Sequence, residues 1–447
     1  MMAKHRLMEG DLPEISGVRH EIGLWAPSAG HTRPTLAPLG SMLSCHIFSF
    51  RRNNSTKAFE SNLPTLGQSS SFGLLEPLHI ACSENNSSKP VSKIDQSQIS
   101  FHQFPPLKMS VTTDEQLRTY LDSKNIPYTS VHQLAGGTAN FVWRIDNCGK
   151  SSIMKHAEPF IKSIHSVPFA VERMDFEANA LRVIPQSLPT DELVNAPEPY
   201  SYDQDAHMLH ISYGGNRTLK EAYADLSLDV VVIGTRLGKW LARLHKCTEG
   251  NYEIGDNMVA KGIYGFSYRN LAKGRERFGF DGELGERVNE MYGSLIEKDD
   301  GMICHGDFWP GNVILESFEA NKANQAVPKM TIIDWEMCRR GNGATDVGQF
   351  AAEAWLLDRF CGERGLLDTF LKSYVAERKM EKEDCRRVAV HFGTHIGYWP
   401  TVVKWANQQE TKEVVRIGGE VTTKAMNGDW DWLGRSMLEE LFKHSKS

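Results

Sequence analysis

The sequence predicts an α+β protein of two lobes, a small β-rich one followed by a larger, mostly helical one. Three observations carry that expectation. Between residues 128 and 156, short β-type runs are separated by the turn signals Gly136-Gly137 and Asn147-Cys148-Gly149. Beyond Gly214-Gly215 the spacing turns helical, as in Val231–Lys246, where Ile233, Leu237, Trp240, Leu241 and Leu244 share one face. Further on, the apolar runs Ile303-Cys304 and Val313–Leu315 flank a polar loop containing Gly and Pro, the pattern of strand, exposed loop, strand.

Taken in order, residues 1–108 show Ser/Asn-rich patches such as Asn53-Asn54-Ser55-Thr56 and Asn85-Asn86-Ser87-Ser88 without sustained periodicity, and are expected to be disordered. A mitochondrial presequence is the rival reading, but Glu9, Asp11, Glu14 and Glu21 sit where such a peptide avoids acids. The folded part is expected to begin near Met109, with a helix over about 113–124 capped by Thr113 or Asp114. The small lobe is assigned to residues 109–214 and the helical lobe to 215–447. Strands are expected at Tyr128–Leu134, Asn140–Asp146 and Ser151–His156, then a helix from Val171 to Val183 stopped by Pro185, then strands near Tyr200 and at Met208–Tyr213.

Composition narrows the function classes. With 447 residues, 40% hydrophobic and 24% charged, the chain can bury a sizeable core, and no run approaches the roughly 18 apolar residues of a membrane span. The net charge is -6; the first 108 residues hold 10 Lys and Arg against 8 Asp and Glu, so the remainder carries -8. No basic field draws nucleic acid. The eight cysteines form no C-x-x-C and no Cys/His cluster, which speaks against zinc and against a disulfide framework, and for a reducing, cytoplasmic setting. Nothing in the sequence signals an oligomeric state.

The chemistry-bearing stretch is Ile303-Cys304-His305-Gly306-Asp307-Phe308-Trp309-Pro310-Gly311-Asn312-Val313-Ile314-Leu315. About 20 residues on, Met330-Thr331-Ile332-Ile333-Asp334-Trp335-Glu336 reads as a strand ending in an acid. If these strands pair as a hairpin, Asp334 emerges beside Asn312. Phosphoryl transfer needs a carboxylate to take the acceptor hydroxyl's proton and metal ions to neutralise phosphate oxygens. Asp307 suits the first task; Asn312 and Asp334 offer the hard oxygen ligands that Mg²⁺ takes. Singly, each could be a turn residue, a loop amide or a helix cap; jointly they point to a kinase.

His305-Gly306-Asp307 with Asn312 and the downstream Ile333-Asp334-Trp335-Glu336 resembles the signature of aminoglycoside phosphotransferases and their relatives, including choline, fructosamine and methylthioribose kinases. The resemblance implies a protein-kinase-like fold using ATP and Mg²⁺, with Asp307 as catalytic base and Asn312 and Asp334 on metal. It also implies that Asp346 supports the catalytic loop and that His305 packs and hydrogen-bonds rather than carrying protons. On the nucleotide side, glycines let backbone amides approach phosphate, so Gly136, Gly137 and Thr138 are expected to cover it. Lys155, on the next strand, is expected to hold the α/β-phosphates, oriented by Glu177 in preference to Glu172. Ser212, Tyr213 and Gly214 are expected at the adenine-binding hinge.

Leu134–Asn140 and Phe176–Leu181, with Asp334-x-Glu336, look closest to the methylthioribose-kinase-like branch. Arg386-Arg387 either matches that branch's paired arginines near the active site or lies on a solvated helix face. The Ser317–Pro328 connection departs from the pattern and reads as a surface insertion. Eleven residues separate Asp334 from Asp346, too few for the activation segment of a protein kinase, so the acceptor is expected to be a hydroxylated small molecule. Trp355, His391, His395, Tyr398, Trp399 and Lys404 are candidates for touching it, although a Trp/Tyr/His grouping at such spacing is more often packed core than ligand site. The competing class is a nucleotide-binding pseudokinase without turnover; it predicts loss of Lys155, Asp307, Asn312 or Asp334, and all four are present.

Overall fold

The computed structural model of the protein describes residues 109–135, 137–316 and 327–443. The expected disorder of residues 1–108, Gly136, and most of the Ser317–Pro328 connection lie outside the described residues.

Helix α1 (Asp114–Ser123) starts at a capping box in which Thr113 and Gln116 satisfy each other's backbone amides. It buries Leu117, Tyr120 and Leu121 on the first sheet, and the Trp143 indole donates to Asp114 at 2.9 Å. That sheet is five-stranded and antiparallel. It is built from β1 (Ser130–Gln133), β2 (Phe141–Asn147), β3 (Lys150–His156), β7 (Pro199–Asp203) and β8 (Met208–Ser212), in the order β1-β2-β3-β8-β7. Side chains alternate across a strand. Phe141, Trp143, Ile145 and Met154 therefore face the core under α1, while Val142, Arg144, Ile153 and Lys155 line a cavity on the other face.

A hairpin that the sequence reading lacked, β4 (Phe160–Ile161) and β5 (Ile164–Pro168), braces the glycine turn. The Ser163 amide donates to Thr138 O at 3.0 Å and the Lys162 amide to Ala139 O at 3.2 Å. Helix α2 (Arg173–Ser187) buries Glu177 with Met174, Ala180, Leu181 and Ile184. It does not stop before Pro185 as expected. Proline there removes one amide bond near the helix end, and the last turn still closes through Leu188 N–H to Ile184 O at 3.1 Å.

Two short sheets carry the stretch from Ile303 to Leu315. One has the order β6-β12-β11-β9, from β6 (Val194–Asn195), β9 (Arg217–Thr218), β11 (Val313–Leu315) and β12 (Met330–Ile332); the other pairs β10 (Met302–Cys304) with β13 (Arg339–Gly341). Strands β11 and β12 form the expected antiparallel hairpin, Val313 opposite Ile332. The rest is helical: α3 (Leu219–Ala222), α4 (Val230–Cys247), α5 (Met258–Tyr264), α6 (Phe266–Glu276), α7 (Glu283–Met291), α8 (Ala344–Cys361), α9 (Leu366–Glu377), α10 (Lys382–Tyr398) and α11 (Gln408–Met426), ahead of two short terminal turns. Helix α4 packs on α9, and α10 lies against both α8 and α11. One hydrophobic core runs from α2 and β8 through these helices.

Among the described residues, no helix is long and apolar enough to cross a membrane.

Candidate active site

The site is held between the five-stranded sheet and the β11/β12 hairpin. Where the chain leaves β8, Gly214 and Gly215 cross that hairpin so closely that a Cβ on Gly214 would overlap the Thr331 side chain and one on Gly215 would strike Leu315 O. Gly215 also takes φ +133°, open essentially to glycine alone. The crossing closes a cavity of about 310 Å³ lined by Gly137, Thr138, Lys155, Glu177, Ser212, Tyr213 and Gly214, with Asp334 and Glu336 at its inner end.

Lys155 anchors that end. Its ammonium meets Glu177 Oε1 and Oε2 at 2.8 and 2.7 Å and Asp334 Oδ1 at 2.8 Å. Burial opposes the charge on Lys155, but Asp334, Glu177 and Glu336 outweigh it and raise its pKa, so the lysine stays protonated. Glu172, the alternative partner, stands at the residue before α2, and its side chain makes no capping bond to that helix. Glu336 accepts from Asn140 Nδ2 at 2.6 Å and lies 3.4 Å from Arg173 Nε; burial, reinforced by Asp334, pushes its carboxyl up to about 7.

The loop that follows β10 is fixed from behind by Asp346. One oxygen accepts from the His305 amide at 2.7 Å and the other from the Gly306 amide at 3.1 Å, with His245 Nε2 at 3.3 Å. Gly306 takes φ +83°, and a Cβ there would overlap Met337 O and the Arg339 guanidinium. His305 Nδ1 accepts from the Asp307 amide at 3.1 Å, so the proton sits on Nε2, which donates to Ile333 O at 3.0 Å. Burial holds His305 down at about 4, which keeps it neutral.

Asp307 is buried, and its Oδ1 accepts from Gln349 Nε2 at 2.8 Å. Burial first, then the charge of Asp334, raises its pKa well above the usual carboxylate range. Asn312 Nδ2 donates to Asp307 O at 3.0 Å, and the Ile333 amide donates to Asn312 O at 3.0 Å, so the two acids and the amide are tied together. Asn312 Oδ1 and Thr138 Oγ1 are buried and have no hydrogen-bond partner among the described residues. A hard carbonyl oxygen left unsatisfied beside Asp334 suits Mg²⁺, and a bare hydroxyl in the glycine turn suits phosphate.

The profile of the Phosphotransferase enzyme family matches residues 130–387, more than half of the chain. The chain belongs to that family. Its phosphotransferase relatives include a 4-hydroxytryptamine kinase of Psilocybe cyanescens, 26% identical over 346 residues that span 71% of this chain and 94% of the relative. A methylthioribose kinase of Bacillus thuringiensis subsp. konkukian (strain 97-27) is 22% identical over 286 residues, 55% of this chain and 69% of the relative. Among solved structures, the GDP complex of wild-type aminoglycoside 2'-phosphotransferase-IIIa matches 70% of this chain and 99% of its own at 14% identity and TM-score 0.41. A choline/ethanolamine kinase family protein from Mesorhizobium loti matches 73% and 98% at 14% and 0.42. This phosphotransferase is a small-molecule kinase.

Several parts of the phosphotransferase site were not singled out from sequence. Gln349 on Asp307, and the Asn140–Arg173–Glu336 cluster joining the glycine turn to the β12 end, depend on partners distant in the chain. The spacing Asp346-x-x-Gln349, which puts both on one helix face, was the available signal for the first. Arg387 is engaged by Asp299 at 3.0 Å, and Arg386 by Glu383 at 3.3 Å and the Trp430 ring, so neither guanidinium is directed to this cavity. Of the acceptor candidates, Trp355, His391, His395, Tyr398 and Trp399 are buried and Lys404 is exposed.

Proposed function

We propose that this kinase uses ATP with Mg²⁺ and transfers the γ-phosphoryl group to a hydroxyl of a small molecule, with Asp307 as the base. The observation that carries the reading is the buried, unpartnered Asn312 Oδ1 beside Asp307 and Asp334. Asn312 and Asp334 would hold the metal, which supplies neutralisation of the phosphate oxygens. Lys155, kept protonated and aimed by Glu177, would hold the α/β-phosphates, while Gly137 and Thr138, with Gly136, cover them. The Ser212 amide is bonded to Glu198 O at 2.9 Å, which leaves the backbone of Tyr213 and Gly214 to meet the purine.

In the transfer, the acceptor's hydroxyl oxygen forms a bond to the γ-phosphorus and the bond to the β,γ-bridging oxygen breaks. ADP leaves with that electron pair, and the hydroxyl proton passes to the Asp307 carboxylate. The names of the relatives that match along most of their length support a hydroxylated aromatic amine as the first acceptor to try. The free thiols of Cys304, Cys338 and Cys385 fit the reducing, cytoplasmic setting expected from composition.

The test is Mg²⁺-dependent thermal stabilisation by ATP, followed by ADP release across a panel of hydroxylated metabolites that begins with 4-hydroxytryptamine and methylthioribose. Asp307→Ala is expected to abolish transfer with ATP affinity nearly unchanged, and Asp334→Ala to weaken Mg²⁺-nucleotide binding as well. Full activity of Asp307→Ala would refute the assignment, and binding without turnover of any acceptor would favour a pseudokinase.

A further inference from the structure

Asp307 does not set its own direction. Its Oδ1 takes a hydrogen bond from Gln349 Nε2 at 2.8 Å, within a fully buried environment supplied by α8. An ionised carboxylate only accepts, so Gln349 has to present its NH2 end. The two ends of an amide are nearly identical in shape, and something else must decide which faces Asp307.

That something is a chain of polar groups leading away from the base. Gln349 Oε1 lies 3.1 Å from the Tyr264 hydroxyl of α5, which also reaches Thr345 O at 2.9 Å and His391 Nε2 at 2.9 Å. The hydroxyl owns one proton, and both carbonyl oxygens can only accept it. The remaining contact is then a donation from His391 Nε2–H to the Tyr264 oxygen. His391 Nδ1 consequently accepts, and the Tyr268 hydroxyl of α6 donates to it at 2.8 Å. Burial, with His395 beside it, pushes the His391 pKa well below its ordinary value, in keeping with this single neutral tautomer. Four helices, α5, α6, α8 and α10, thus contribute one group each, all buried.

We propose that Gln349 is a positioning residue for Asp307, held the right way round by Tyr264 and His391, so that one carboxylate oxygen is pinned and the other is left for the acceptor's proton. The inference rests on the reading of Asp307 as base. It adds that the base is oriented from the helical side, by residues that touch neither nucleotide nor metal.

The experiment measures kcat and the KM for Mg²⁺-ATP in Gln349→Met, Tyr264→Phe and the double variant. Turnover is read on whichever acceptor in the panel above gives product, or on hydrolysis of ATP by water if no alcohol does. Gln349→Met, similar in length but without the donor, is expected to lower kcat roughly 10- to 100-fold while the KM for ATP and the thermal midpoint stay near wild type. Tyr264→Phe is expected to cost less, and the double variant to be no slower than Gln349→Met alone, because Tyr264 acts through Gln349. If Gln349→Met fails to fold, Gln349→Glu, which keeps the volume and turns a second carboxylate on Asp307, carries the same comparison and is expected to lower kcat further. Wild-type kcat in the Gln349 variant alongside an inactive Asp307→Ala overturns the inference and leaves the base assignment standing, as do losses that multiply in the double variant. Activity in Asp307→Ala, or no turnover by the wild-type protein even with water, overturns the base reading and this inference together.

Discussion

Asp334 takes φ +68° and ψ +59°, a left-handed conformation that costs a residue with a β-carbon about 1–2 kcal/mol. The turn it makes sends successive side chains in opposite directions: Asp334 to Lys155, the Trp335 indole back to Ile332 O at 2.8 Å, and Glu336 to Asn140. Strain of this kind persists where the surroundings enforce it, and here it delivers two carboxylates to one cavity. Asp307 shows a second local cost. Its folded pKa lies above the unfolded value, so the stability of the neutral form is complete below the unfolded pKa and is lost as pH rises through the folded one. An asparagine in its place would keep the shape, and the amide oxygen could still accept from Gln349. The variant Asp307→Asn is therefore expected to raise the thermal midpoint of the nucleotide-free protein at pH 8 while lowering turnover roughly 10²- to 10⁴-fold. Differential scanning fluorimetry beside initial rates checks both, and a midpoint that falls would show that burial of this carboxylate is not costly.

At the scale of elements, Arg173 at the start of α2 joins pieces that the chain order keeps apart. Its Nε donates to Asn140 Oδ1 at 2.8 Å and sits 3.4 Å from Glu336, while its other nitrogens reach Phe169 O, Ala170 O and Glu158 O at 2.8 to 3.0 Å. Arg173→Met leaves the Glu336 charge and the carbonyls it bonds, Ala139 O at 3.4 Å among them, without this partner, and is expected to lower unfolding stability by about 3–5 kcal/mol in urea titration. A loss below about 1 kcal/mol would mean that water replaces the guanidinium. None of this cluster is visible from local pattern, because Asn140 and Glu336 stand 196 residues apart. What depends on local chemistry could be read beforehand: the Thr113 cap, strands β2 and β3 between their turn signals, and the β11/β12 hairpin drawn from the apolar run Val313–Leu315 and the strand that begins at Met330. Strands β4 and β5 escaped because two and five residues beside Pro159 and Pro168 hold too few alternations to register. Helix α2 was cut short because a proline in a last turn breaks one bond and not the helix.

Across the whole molecule, the small sheet, α2 and the β12 end converge three acids, Glu177, Asp334 and Glu336, on two buried cations, Lys155 and Arg173, and the loop after β10 adds Asp307 within the field of Asp334. The excess of carboxylate is a standing preference for an added cation, and it falls as Glu336 takes up a proton. With a folded value of about 7 against an ordinary one of 4.5, Glu336 contributes stability that is present in full below about pH 4.5 and is lost as pH rises through 7. The size is on the order of 3 kcal/mol, and Asp307 adds to it in the same direction. The metal-free protein is accordingly expected to melt several degrees lower at pH 8 than at pH 6, with Glu336→Gln reducing that difference. Millimolar Mg²⁺ should do the reverse and stabilise more at pH 8, where Glu336 is mostly ionised, than at pH 6, because a ligand that binds the native state raises its stability by RT ln(1 + [L]/Kd). Thermal melts at both pH values, with and without Mg²⁺, decide the matter: equal shifts at the two pH values, in wild type and Glu336→Gln alike, would mean that the cation is held without the help of these carboxylates.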